Sequence, residues 1–111
     1  MSEQKSLVSR AFQTFLAEAP GQAQAWGALV QSLGQASALD AKTGALAYLA
    51  VLAALGRLSG IPFHAQGARK AGASREEVIS AILVGLPAAG HIVTQALPPA
   101  LEAYDAESPD G

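Results

Sequence analysis

Apolar residues recur along this chain with the 3.6-residue spacing of an α-helix, and nowhere with the two-residue alternation of a half-buried strand. Leu7, Val8, Ala11, Phe12, Phe15 and Leu16 share one face of a helix expected over residues 5–18, which Pro20-Gly21 closes. A second helix, expected over residues 22–33, sets Ala25, Trp26, Leu29, Val30 and Leu33 on one side and stops at Gly34. Asp40 opens a third over residues 41–58, because its carboxylate can accept the free amides of a first helical turn. That helix is apolar nearly all round (Ala45, Leu46, Tyr48, Leu49, Val51, Leu52, Leu55), the pattern of a helix buried in a core or between subunits. Ser59-Gly60 breaks the chain, and Pro62 suits the first position of a fourth helix over residues 62–71, ended by Gly72. Ser74-Arg75-Glu76-Glu77 reads as a capping box that starts a fifth helix, running to about residue 86. Pro87 kinks or ends it, a further helical segment runs to about residue 97, and a last one covers residues 98–104. Residues 105–111 read as a polar, frayed tail. With no repeat and no linker, the expectation is one all-α domain over residues 1–111, a compact bundle of about six helices.

Composition sharpens this picture. A globule of 11.2 kDa exposes roughly 5,700 Å², against roughly 16,000 Å² unfolded, so one core forms without disulfides or metal. Phe12, Phe15, Trp26 and Phe63 are assigned to that core. Charged residues are only 14% of the chain, where about 25% is usual. The simplest consequence is self-association, with part of the surface covered by other copies. Residues 78–101 carry no formal charge and are numerous enough to span a bilayer, but Gly85, Pro87, Gly90, His91 and Pro98-Pro99 interrupt them, so no membrane partner is expected. Met1-Ser2-Glu3-Gln4-Lys5 lacks the basic-then-apolar pattern of a secretory leader, which makes a cytoplasmic location the expectation. Seven basic and nine acidic residues leave a net charge of −2, which excludes a nucleic-acid partner bound through phosphate neutralisation. The chain has no cysteine, which excludes thiolate metal sites, thiol nucleophiles and dithiol redox chemistry. Two histidines are too few for a His-rich metal site, and no cofactor is called for.

Candidate chemistry collects in one region. Arg57, Ser59 and His64 flank the turn between the two central helices, and His91 follows the proline kink. His64 titrates near neutrality and is either a general acid–base or a helix-start histidine bonded to a carbonyl. Arg57 either binds a carboxylate through its fork of donors or complements a helix C-terminus. Ser59 is a turn residue, and a nucleophile only if His64 activates it. His91 is a core or interface histidine, or a second binding group. Glu76 and Glu77 are accounted for by the cap.

One longer pattern stands out. Asp40-Ala41-Lys42-Thr43-Gly44-Ala45-Leu46, an apolar helix, His64, and then Gly72-Ala73-Ser74-Arg75-Glu76-Glu77-Val78 together resemble the carboxymuconolactone decarboxylase family, within the alkylhydroperoxidase D-like superfamily. The resemblance covers about residues 40–90 and implies that family's all-α fold, assembly as trimers or hexamers, and pockets at subunit contacts. The peroxidase branch of the superfamily carries Cys-x-x-Cys-x-x-x-His and a preceding glutamate. Aligned on His64, its cysteines fall at Arg57 and Gly60, its glutamate at Ala45, and the histidine between its cysteines at Ser59, so peroxidase chemistry is not implied. The decarboxylase branch resembles Leu55-Gly56-Arg57, six residues, then His64; its acidic residue near Gly60 is missing. The implied activity is that of a lyase on a small carboxylated lactone or related acid, with Arg57 holding the acid or carbonyl and His64 delivering a proton. Ser59 and His91 would then be binding residues. The alternative is a non-catalytic, oligomeric small-molecule binder or scaffold.

Overall fold

A computed structural model of the chain describes residues 7–106. Among them are seven α-helices and no strand: α1 (Arg10–Glu18), α2 (Pro20–Ala36), α3 (Ala41–Leu55), α4 (Ile61–Lys70), α5 (Arg75–Leu83), α6 (Leu86–Ala89) and α7 (Leu97–Asp105). Two 3-10 turns, Leu58–Gly60 and His91–Ala96, connect α3 to α4 and α6 to α7. No helix of the described residues is long and apolar enough to cross a membrane.

The element boundaries follow from local chemistry, and several differ from the sequence reading. α1 begins at Arg10, later than expected, because the Ser9 hydroxyl accepts the Phe12 amide at 3.1 Å and caps the helix there. Leu7 and Val8 precede it; residues 5 and 6 lie outside the described residues. Pro20 does more than close α1: it sits in the first turn of α2, where its missing amide is no loss. α2 runs through Gly34 to Ala36, since one helical glycine costs only about 1 kcal/mol relative to alanine. α3 stops three residues short of residue 58, at Leu55, because Gly56 takes the left-handed conformation (φ 69°, ψ 24°). The Arg57 amide then closes the end by bonding back to the Leu52 carbonyl at 2.9 Å. α4 starts one residue before Pro62, and α5 ends at Leu83, with Pro87 in the first turn of the short α6. Asp105, placed by sequence in the tail, is the last residue of α7, and Arg75 holds it with bonds of 2.9 and 3.0 Å. The rest of the expected tail, residues 107–111, lies outside the described residues.

The core is built by α3, α4, α5, the His91–Ala96 turn and α7. Leu49, Ile61, Val78, Ile82 and Val93 are its largest fully buried side chains, and alanines (53, 65, 68, 73, 96, 100, 103) fill the rest. Small side chains let the helix axes approach closely. Polar clips join α4 and α5 to α7. The Gln66 amide donates to the Ala103 carbonyl at 2.7 Å, Arg69 donates to the Tyr104 and Ala106 carbonyls, and the Tyr104 hydroxyl donates to the Ala73 carbonyl at 2.8 Å. Gln66 and Arg69 reach carbonyls at the C-terminal end of α7, where the helix supplies no further amides, and Tyr104 reaches back to the connection between α4 and α5.

α1 and α2 form a hairpin that packs on itself. Phe12 and Phe15 lie edge-on to Trp26, with ring centroids 5.3 and 6.4 Å away, and Ala23 is the buried residue of α2. The aromatic residues therefore leave the core to which the sequence reading assigned them. Trp26 remains 43% exposed and Phe63 51%, while Phe12 and Phe15 are half-buried in the hairpin. No residue of α1 or α2 belongs to the core cluster.

Candidate functional site

The site lies where α3 ends and α4 begins. The left-handed Gly56 turns the chain sharply, so Arg57 emerges between two helices with its side chain exposed. Among the described residues its guanidinium has neither a hydrogen bond nor an ion pair. Ser59, in the 3-10 turn, is likewise exposed, and its hydroxyl is unbonded. His64 lies in the first half of α4, half-buried. Its ring stacks on Tyr48 of α3 at 4.3 Å between centroids and 28° between planes, and meets Phe63 edge-on at 5.2 Å. Burial holds the His64 pKa below its ordinary value of 6.5, because a charged imidazolium loses hydration there. His64 is therefore largely neutral at pH 7, competent to take a proton and to give one back once charged.

His91 occupies the start of the second 3-10 turn, exposed to solvent, with its carbonyl accepting the Thr94 hydroxyl at 2.8 Å. The next residue, Ile92, packs so close to Gly56 that a Cβ there would meet its side chain at 3.0 Å. The second turn thus abuts the end of α3, and His91 comes to the Arg57 end of that helix; the rings touching His64 are Tyr48 and Phe63, not His91. Sequence reasoning missed Tyr48, which it counted among the apolar positions of α3. The available signal was a hydroxylated aromatic on the otherwise aliphatic helix directly before the Arg57–His64 turn.

The motif that carried the resemblance has a separate job. Asp40 accepts the Thr43 amide at 2.7 Å and caps α3; that bond holds its carboxyl below the usual range. Ser74 and Glu77 form the expected capping box on α5, with the Ser74 amide donating to Glu77 at 2.9 Å and the Glu77 amide to Ser74 at 3.0 Å. Lys42 then bridges to Glu77 at 3.0 Å. The Ser74 amide and the Lys42 ammonium together hold the Glu77 carboxyl below its usual range. These residues tie the N-termini of α3 and α5 together and are used up in doing so. Beside them an open groove of about 560 Å³ runs between α3 and α5, lined mainly by Leu46, Ala47, Ala50, Ser80, Ala81 and Val84. The groove holds no histidine, so it and the candidate chemistry are on different parts of α3. Among the described residues no cluster of three His, Cys, Asp or Glu side chains could hold a metal.

The sequence profile of the carboxymuconolactone decarboxylase family matches residues 20–103, from the start of α2 almost to the end of α7. No curated protein and no solved structure matches the chain.

Proposed function

Because the chain belongs to the carboxymuconolactone decarboxylase family, we propose that the Arg57–His64 turn binds a small carboxylated lactone or related acid and acts on it as a lyase. The observation that carries this reading is an exposed guanidinium, without a partner among the described residues, just before the turn that joins α3 to α4, and a half-buried, neutral imidazole in the first turn of α4 just after it. In such a reaction the bond to the carboxylate carbon breaks, CO2 leaves, and the bonding electrons pass into the unsaturated lactone as an enolate. Arg57 opposes the charge that develops on the lactone oxygen, which is where a fixed cation lowers the barrier. His64, protonated from solvent, delivers a proton to the ring carbon and returns to its neutral form. Ser59 and His91 border the same turn and offer hydroxyl and imidazole contacts to the acid. Tyr48 holds the imidazole plane.

The test is a thermal-shift screen of small carboxylates and lactones, run on wild type and Arg57→Ala, followed by CO2-release assays on any hit. A ligand at a hundred times its Kd adds about 2.7 kcal/mol, a shift of several degrees in a domain of this size. The expected result is a hit lost in Arg57→Ala, with turnover lost in His64→Gln while binding persists. Full turnover by His64→Gln would sink the mechanism.

A second reading, a non-catalytic binding or scaffold member, draws on the separation of the large groove from the Arg57–His64 turn. It predicts a thermal shift that persists in Arg57→Ala, without CO2 release.

A further inference from the structure

We propose that the groove between α3 and α5 is a small-molecule site separate from the Arg57–His64 turn, and that it takes an organic ammonium ion with an unbranched apolar tail. The two banks of the groove are built alike. On α3, Lys42, Leu46 and Ala50 recur every fourth residue, and on α5 so do Glu76, Ser80 and Val84, so each set lines one helix face. The Lys42–Glu77 bridge at 3.0 Å holds the two helix starts side by side. The charged positions of both banks therefore gather at one end of the groove, and the aliphatic ones lie further along it. Small side chains at Ala47, Ala50 and Ala81 leave the channel open, with about 560 Å³ of space. Small-molecule pockets occupy about 300–1,000 Å³. From Glu76 to Val84 the α5 bank is about 12 Å long at 1.5 Å per residue.

The polar end selects a cation. Both oxygens of Glu77 are taken, one by the Ser74 amide at 2.9 Å and the other by the Lys42 ammonium at 3.0 Å. Glu76 is exposed, and among the described residues its carboxylate makes neither a hydrogen bond nor an ion pair. The adjacent Arg75 turns to Asp105, with bonds of 2.9 and 3.0 Å. One turn along from Glu76, the exposed Ser80 hydroxyl is likewise unbonded among the described residues. An ammonium group carries three donors, and the Glu76 carboxylate and Ser80 hydroxyl offer acceptors for them. An anion fits this end poorly. Asp40 already accepts the Thr43 amide at one helix start and Ser74 the Glu77 amide at the other, and an anion would also face Glu76.

Beyond Ser80 the walls are apolar. Val84 is 69% exposed at the far end, with Leu46, Ala50 and Ala81 along the same channel. A hydrocarbon tail laid there takes apolar surface of both partners out of water, and the gain scales with the area covered. An exposed ion pair alone is worth little in water, so head and tail are needed together.

Isothermal titration calorimetry with hexylammonium chloride tests the site, with hexanoate and ammonium chloride as comparisons. The expected result is saturable binding of one hexylammonium per chain, and no binding of hexanoate or ammonium. Glu76→Gln is expected to weaken hexylammonium about tenfold. Ala47→Leu puts a larger side chain into the channel and is expected to abolish binding. Both positions are exposed, and both variants retain Ser74 and Glu77 of the α5 cap, so each keeps its helical circular dichroism. Arg57→Ala is expected to bind hexylammonium as wild type does. Absence of saturable binding to wild type, equal affinity for hexanoate, or unchanged affinity in Glu76→Gln or in Ala47→Leu would each overturn the proposal. So would loss of binding in Arg57→Ala, which would put the amine at the other turn. Hexylammonium is neither an acid nor a lactone and the readout is binding, so the lyase reading stands or falls separately.

Discussion

Single residues with well-defined partners carry most of the specificity in this small, alanine-rich core. Among the described residues Gln66 is the buried polar side chain, and it meets one particular carbonyl, that of Ala103. Replacing it with methionine keeps volume but removes the donor. Leaving a buried acceptor unpaired costs about 1–3 kcal/mol, so Gln66→Met should lower the denaturation midpoint clearly, and urea titration reads that directly. His64 makes a different prediction. Its folded pKa is lowered, so the unfolded chain binds more protons than the native one between that value and 6.5. Stability should therefore begin to fall as the pH drops below 6.5, and His64→Gln should remove this early part of the loss in a series of thermal melts.

At the scale of elements, helix ends decide where the chemistry is held. Asp40, Ser74 and Glu77 start α3 and α5, and Lys42 ties the two starts together. Gly56 ends α3, and its left-handed backbone aims Arg57 out of the bundle. A side chain at that φ costs about 1–2 kcal/mol, and here the Cβ would also press on Ile92 at 3.0 Å. Gly56→Ala should therefore destabilise the fold by more than Gly27→Ala, which has ordinary helical backbone and open space around it. It should also weaken acid binding at Arg57; comparing the two variants by calorimetry and thermal shift checks both effects.

At the scale of the whole fold, the described residues divide into a packed body and an α1–α2 hairpin on which Leu29, Val30 and Leu33 stay exposed. The few ionic contacts lie at the surface of the body. Asp40, Glu77 and Asp105 are all held below their ordinary values, the first two chiefly by backbone amides and the third by Arg75. Lowered carboxyls stabilise the native state above their unfolded values and lose that contribution as the pH falls through the folded ones. A second decline in melting temperature is therefore expected below about pH 4, the ordinary carboxylate range. It should persist in His64→Gln, separating the carboxylate step from the histidine step.

Helix identity, the caps at Asp40 and Ser74 and the Arg57–His64 spacing were legible along the chain, because each depends on residues within a turn or two of one another; the family resemblance was legible because it is a linear order of such local motifs over residues 40–90. So was the apolar girdle of α3, although which side of it would be buried was not. The early stop at Gly56 was missed because a glycine's choice between helix and left-handed turn depends on what packs beside it, here Ile92 from far along the chain. The same is true of the aromatic residues. Periodicity marks Trp26 and Phe63 as apolar, but only packing decides whether the surface they face belongs to this chain. Tyr48 joined the site, and Gln66 the core, through partners on other helices. Local order is written in spacing because backbone hydrogen bonds and caps act over a few residues. The tertiary structure decided which helix faces meet, because that depends on distances between segments that a linear pattern does not contain.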